Sequence, residues 1–217
     1  MDQSTTPNPP SPFSAGWSGA AMAVHAVQQI PTPILISLEV SGHGTFAIDP
    51  RSNTYVWSAP TGASVFPFEQ FPTFPQSVRV TTYPVELDSP GLVGTAFGVD
   101  ALFWMIGLNA FAGAPASWLR PSDKYRLKWW PAFDLLPHTV DQARAVKTLA
   151  KSMMSVEKLA KLARVPVPAA HDVVNALSLM GALRRLEASN SAPLLPPVPP
   201  ELEPPTRERG RHVRRGG

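Results

Sequence analysis

The sequence predicts an α+β protein with a β-rich N-terminal region and a helical region near the C-terminus. Runs rich in β-branched and aromatic residues, separated by turn clusters, occupy residues 34–57. Between residues 139 and 180, apolar side chains recur at the three- and four-residue spacing of amphipathic helices. Of the 26 prolines, 11 lie in residues 1–12 and 193–205, so both ends are predicted to be disordered.

These observations divide the chain into four parts. The predicted parts are a disordered tail (1–15), a β-rich α+β region (16–136), a trihelical domain (137–187) and a Pro-rich and Arg-rich disordered tail (188–217). Four tryptophans could join the two folded parts, because large rings contribute most when they are buried between elements. They are Trp104, Trp118, Trp129 and Trp130.

The N-terminal region predicts a short helix followed by a small antiparallel meander. The helix lies in residues 16–30 and ends before Pro31. Gly42 and Gly44 supply the first reversal of the meander, and residues 49–53 form a turn cluster in which proline fixes φ. The predicted strands are residues 34–40, 45–48 and 54–57.

Proline shapes the middle of the chain. Residues 58–75 are too proline-broken for a central strand and predict an irregular connection. Residues 77–87 alternate as a strand, which Pro84 places at a sheet edge. A helix over 99–110 and a strand over 125–130 follow.

The 19 residues from 101 to 119 carry no charge and approach the length of a membrane span. Asn109, Gly107, Gly113 and Pro115 interrupt this stretch and favour a buried core helix that ends near residue 110. The chain opens MDQSTTPNPPSPF, without the basic start of a secretory signal. We therefore expect a cytoplasmic protein that does not have a membrane as its partner.

Three helices are predicted after residue 138. Thr139 to Gln142 form a capping-box pattern at the start of the first, and Ser155 can cap a second over 156–164. Pro168 suits the first turn of a third helix, which Gly181 ends.

The helical pattern carries a resemblance to a known type of domain. The residues are SVEKLAKLA (155–163), Val165, VVNAL (173–177) and LMGAL (179–183). Over residues 138–186 the chain resembles the winged-helix type of helix-turn-helix domain, and RLKWWPAFDLLPH (126–138) is similar to a segment before the same pattern in uncharacterised bacterial proteins. The resemblance implies a trihelical core, and a short wing in which residues 183–186 need a partner such as residues 125–130.

In a DNA-binding member of that type the third helix enters the major groove. The resemblance then makes His171, Asn175 and Ser178 the candidate base readers, with Asp172 as a residue that would repel phosphate. Basic side chains around the helices become candidate phosphate contacts, which position a duplex without reading its sequence. They are Lys147, Lys151, Lys158, Lys161, Arg164, Arg184 and Arg185.

Charge is distributed unevenly along the chain. Residues 1–119 hold two basic and seven acidic side chains, a net charge of −5, whereas residues 120–217 hold 17 basic and nine acidic side chains, a net charge of +8. The end of the chain, RERGRHVRR (207–215), carries five arginines. The positively charged C-terminal half suits an anionic partner, although solubility or docking of the two halves on each other explains the same division of charge.

The sequence does not predict an enzyme. It has no cysteine, which removes disulfides, thiolate nucleophiles and cysteine zinc sites. Its five histidines are scattered, and the G-x-G-x-x-A pattern at residues 42–47 is followed by a turn cluster where a nucleotide site needs a helix. We therefore assign no catalytic residue, metal ligand or cofactor.

Two functions remain open. The first is a bacterial DNA-binding or regulatory protein that uses duplex DNA as its partner through the C-terminal domain. The alternative is a protein-protein interaction adaptor in a signalling or assembly complex, which docks through the same helical domain and the proline-rich tail.

Overall fold

A computed structural model describes residues 13–14, 16–60, 72–86 and 91–187. Within them the chain is a mixed α+β protein, as the sequence predicts. The predicted C-terminal tail, nearly all of the N-terminal tail and residues 61–71 of the irregular connection lie outside the described residues.

The N-terminal part is built on one antiparallel sheet. Its strands are β1 (Phe13–Ser14), β2 (Ile34–Val40), β3 (Gly44–Asp49), β4 (Thr54–Ser58), β5 (Val78–Pro84) and β6 (Ala96–Gly98). They lie in the order β1-β5-β2-β3-β4-β6, so the predicted meander is its centre. Pro84 lies beyond the two residues of β5 that pair with β1, so among the described residues no strand pairs with it on that side. The strands β1 and β6 were not predicted.

Alternation along the strands creates the core face of this sheet. Ile36, Leu38 and Val40 of β2 are buried, whereas Glu39 between them is exposed. The turn into β3 requires glycine, because Gly44 has a φ of 83° and a Cβ there would lie 2.1 Å from the Ser58 carbonyl oxygen. A strand, not a helix, follows this turn.

Five α-helices lie in the described residues. They are α1 (Ser18–Gln28), α2 (Val99–Asn109), α3 (Val140–Lys151), α4 (Val156–Ala163) and α5 (Val167–Leu179). The capping box is confirmed, since Gln142 N–H donates to Thr139 Oγ1 (3.3 Å) and Thr139 N–H donates to Gln142 Oε1 (2.8 Å). Ser155 caps α4 in the same way by accepting from the Lys158 N–H.

A second, two-stranded sheet closes the helical unit. It consists of β7 (Lys124–Leu127) and β8 (Leu183–Leu186), which confirms that the strand after α5 pairs with the strand before α3. Tyr125 of β7 also bridges to Met154, between α3 and α4. The side chain of Tyr125 is buried against the helices, so this ribbon forms part of their core.

Helix α2 joins the two parts. Its apolar side chains belong to one buried cluster that includes both the large sheet and α3 to α5. Gly107 lies directly on α5, where a Cβ would be 2.3 Å from the Ala176 Cα. In the described part of the chain, no helix is long and apolar enough to cross a membrane.

The four tryptophans that were predicted to join the two parts differ in their burial. Trp104 is fully buried and donates its Nε1–H to the Pro137 carbonyl (2.9 Å). Trp118 and Trp129 are partly buried, and Trp130 is 51% exposed. Trp17, which the sequence did not single out, is fully buried at the start of α1.

Candidate functional site

The covering loop, residues 111–119 between α2 and β7, lies over the polar face of α5. At its centre Asn175 is fully buried. The Ala116 N–H donates to Asn175 Oδ1 and the Asn175 Nδ2 donates to the Ala114 carbonyl, both at 2.9 Å. A single amide side chain therefore satisfies a donor and an acceptor of the loop backbone.

The same contact continues on both sides of Asn175. Gly113 N–H donates to Asp172 Oδ1 (3.0 Å), and His171 Nδ1 donates to the Gly113 carbonyl (2.9 Å). One turn further on, the Trp118 indole N–H donates to Ser178 Oγ (2.9 Å). Every polar side chain that the sequence placed on the outward face of α5 is thus bonded to the covering loop.

His171, Asn175 and Ser178, which were predicted to read bases, all bond the covering loop in the fold. Base reading by these residues stays a prediction. A helix that reads a DNA groove presents free side chains to that groove. On α5, Val173 and its neighbours face the core, and α2 crosses the helix at Ala176. The covering loop lies over the remaining face. The polar positions on α5 hold the covering loop in place.

Most of the candidate phosphate contacts are free on the surface. Their side chains are exposed on α3, on α4, after α4 and on β8; they are Lys147, Lys151, Lys158, Lys161, Arg164 and Arg184. Arg144, a further basic residue of α3, contacts the end of α4, where its guanidinium donates to the Ala163 carbonyl (3.1 Å). The helices thus carry exposed cations.

Arg185 is the exception in that set, because its guanidinium is already bonded within the fold. Its Nε lies 3.8 Å from the Asp123 carboxylate, which is fully buried, and its Nη2 pairs with Glu187. It also donates to the Trp118 carbonyl. Burial is the main reason that the pKa of the neighbouring Tyr125 is raised to about 12. Arg185 therefore differs from the other candidate phosphate contacts in having partners within the fold.

A cavity of about 600 Å³ opens between α2, α3 and α5. Its wall combines apolar side chains such as Trp104 and Val173 with the carboxyl of Asp172. Burial raises the pKa of Asp172, although its hydrogen bond from Gly113 acts in the opposite direction. Since Asp172 already bonds the covering loop, its geometry indicates a structural role.

His25 of α1 connects the N-terminal part to this region. Its ring stacks on Trp118 with 4.1 Å between ring centroids and an interplanar angle of 11°. Burial, and secondly the positive charge of Arg185, lower the pKa of His25 from its ordinary value of 6.5. The folded chain therefore favours the neutral ring at this contact.

We expect the free energy of unfolding to decrease as the pH falls through about 6.5, because the unfolded chain then takes up a proton that folded His25 resists. His25→Gln should reduce this loss, measured by urea unfolding at about pH 7.5 and about pH 5.5. His43→Gln, on the turn between β2 and β3, is the matched control and should retain it. An unchanged pH dependence in His25→Gln would contradict the prediction.

Within the described ranges, no three histidine, aspartate or glutamate side chains come together as a candidate metal site. No known protein family, characterised protein or solved structure shows significant similarity to this chain.

Proposed function

We propose that this chain is a non-enzymatic adaptor that binds other proteins. The observation that carries the proposal is the enclosure of α5, whose polar residues are bonded to the covering loop and unavailable to a DNA groove. A helical unit of this shape then acts as a scaffold for other surfaces. The similarity of residues 126–138 to bacterial proteins supports a bacterial host, and we place the adaptor in the cytoplasm.

The segment between β7 and α3 offers the apolar anchors that protein interfaces use. Trp130 is 51% exposed and Leu135 is 76% exposed, and Val140, the first residue of α3, is 77% exposed. Phe133 fixes this segment, because its ring packs against both Trp130 (5.8 Å between centroids) and the buried Trp104 (5.7 Å). Exposed apolar side chains on a firmly held segment favour a docking role.

Proximity labelling in the native host, with the full chain as bait, tests the adaptor. Trp130→Ala with Leu135→Ala should lose specific protein neighbours by about tenfold, because the anchors supply the buried contact. Lys158→Ala with Lys161→Ala is the control and should keep the same neighbours. Both double variants must unfold at temperatures close to that of the wild type.

The second candidate is sequence-independent binding of duplex DNA in a regulatory role, which the exposed cations of α3 and α4 favour. It predicts measurable affinity at low salt, with a log-log salt slope that flattens by about two when Lys158 and Lys161 become alanine. That result, combined with protein neighbours that do not depend on Trp130, would replace the adaptor proposal. Selection from a random duplex pool should yield no preferred sequence in either case.

A further inference from the structure

The ribbon of β7 and β8 has one strongly cationic face. Arg126 lies directly across from Arg184, and Lys124 lies across from Leu186. Lys128 continues the same alternation just beyond β7, and all five of these side chains are exposed. Like charges placed directly opposite each other destabilise a strand pair, so this arrangement is costly for the isolated chain.

Acidic side chains do not relieve that cost within the described part of the chain. The two carboxylates closest in sequence, Asp123 and Glu187, both pair with Arg185 on the opposite face of the ribbon. No ion pair between described residues involves Arg126, Arg184 or the two lysines. As far as the described residues extend, the cationic face is therefore free to receive carboxylates from a partner.

The outer edge of β8 is also open among the described residues. Tyr125 exchanges both backbone hydrogen bonds with Met154 (2.8 and 2.9 Å), so its N–H and C=O point away from β8. In an antiparallel ladder its partner Arg185 then directs its own N–H and C=O away from β7, as does Leu183 two residues earlier. This edge offers two donors and two acceptors to another strand.

The other face of β8 borders a groove of about 450 Å³. Its walls include His25, Trp118 and Leu183. A strand added beside β8 would direct alternate side chains to the cationic face and to this groove. The ribbon therefore suits an extended segment in which acidic and apolar residues alternate.

The geometry points to β8 as the docking edge for an extended, acidic segment of a protein partner, which adds as a third strand to the ribbon and places its carboxylates on the cationic face, directly beside Arg184 and one strand away from Arg126, Lys124 and Lys128. This inference rests on the adaptor function and names the chemistry of its partner. A peptide is favoured over nucleic acid because it alone supplies alternating N–H and C=O groups to the edge.

A fluorescent peptide of about eight residues that alternates glutamate and valine is the probe, titrated into the full chain. We expect saturable binding that weakens by about tenfold or more in Arg126→Glu with Arg184→Glu. Lys158→Glu with Lys161→Glu makes the same charge change on α4 and should weaken binding by less than about threefold. The same peptide with lysine in place of glutamate should not bind.

Hydrogen exchange of the backbone amides in the complex tests whether the peptide pairs with the outer edge of β8. The amides of Leu183 and Arg185 should exchange about tenfold more slowly with the glutamate peptide bound. Equal losses in the two charge-reversed variants, or unprotected amides, would overturn strand addition. The choice of partner would be overturned if duplex DNA displaced the peptide and this displacement required Arg126 and Arg184. It would also be overturned if the peptide bound only after removal of residues 188–217.

The two experiments give different results when this inference fails and when the adaptor function fails. Protein neighbours that depend on Trp130 and Leu135, with no peptide bound at β8, overturn only the docking edge. Peptide bound at β8, with no specific protein neighbour that depends on Trp130, Leu135, Arg126 or Arg184, overturns the adaptor function.

Discussion

Asn175→Ala is expected to lower the free energy of unfolding by about 3 kcal/mol. The change leaves the buried Ala116 N–H and the partly buried Ala114 carbonyl without their side-chain partner, and an unsatisfied buried group costs roughly 1 to 3 kcal/mol. Urea unfolding of the full chain at neutral pH measures the effect. The covering loop should also become accessible to protease, because this amide is its central bond to α5.

Ser178→Ala is the matched control, since it removes one acceptor from the partly exposed Trp118 indole and should cost less than about 1 kcal/mol. Asn175→Asp adds a sharper comparison. A buried aspartate has a raised pKa, so only its protonated form can donate to the Ala114 carbonyl, and this variant should lose stability as the pH rises. Wild-type stability in Asn175→Ala would contradict the burial of its amide.

The sequence predicted the elements of the fold well wherever a local signal defines them. Thr139 and Gln142 cap α3 as expected, because the capping box acts within one turn. The pairing of β7 with β8 was also anticipated, since a strand just after α5 needs a partner and residues 125–130 had the right pattern. The short strands β1 and β6 were missed because two or three residues carry no detectable periodicity.

The surroundings of α5 could not be predicted in this way. Periodicity identifies the polar positions of a helix as those off its apolar stripe, but it does not show what covers them. His171, Asn175 and Ser178 have the spacing of a solvent-facing row, and the same spacing suits a buried polar contact. Their partners lie 58 to 61 residues earlier in the chain, in a loop without a motif.

The cationic ribbon was missed for a related reason. The sequence singled out Arg184 together with Lys158 and Lys161, but not Arg126, which lies 58 residues before Arg184 and becomes its neighbour only through strand register. The division of charge along the sequence did point to an anionic partner for the rear half. It could not show that Arg185, beside Arg184, faces the other way and is neutralised by Asp123.

Gly107→Ala is expected to destabilise the protein by about 3 kcal/mol, even though alanine favours a helix over glycine by roughly 1 kcal/mol. A Cβ at this position would lie 2.3 Å from the Ala176 Cα and 2.7 Å from its backbone nitrogen, so α2 and α5 must move apart. Because α2 belongs to the core shared with the large sheet, that shift should disturb both parts. Thermal and urea unfolding should show a single, earlier transition.

The identity of the clashing atoms provides the decisive control. Ala176→Gly removes only a Cβ that lies 3.1 Å away, so it should not rescue Gly107→Ala, since the closer contacts are with backbone. Gly91→Ala introduces the same methyl group where no atom lies within 4 Å and should change stability by less than about 0.5 kcal/mol. Full rescue by Ala176→Gly, or a neutral Gly107→Ala, would show that α2 and α5 do not cross with their backbones in contact.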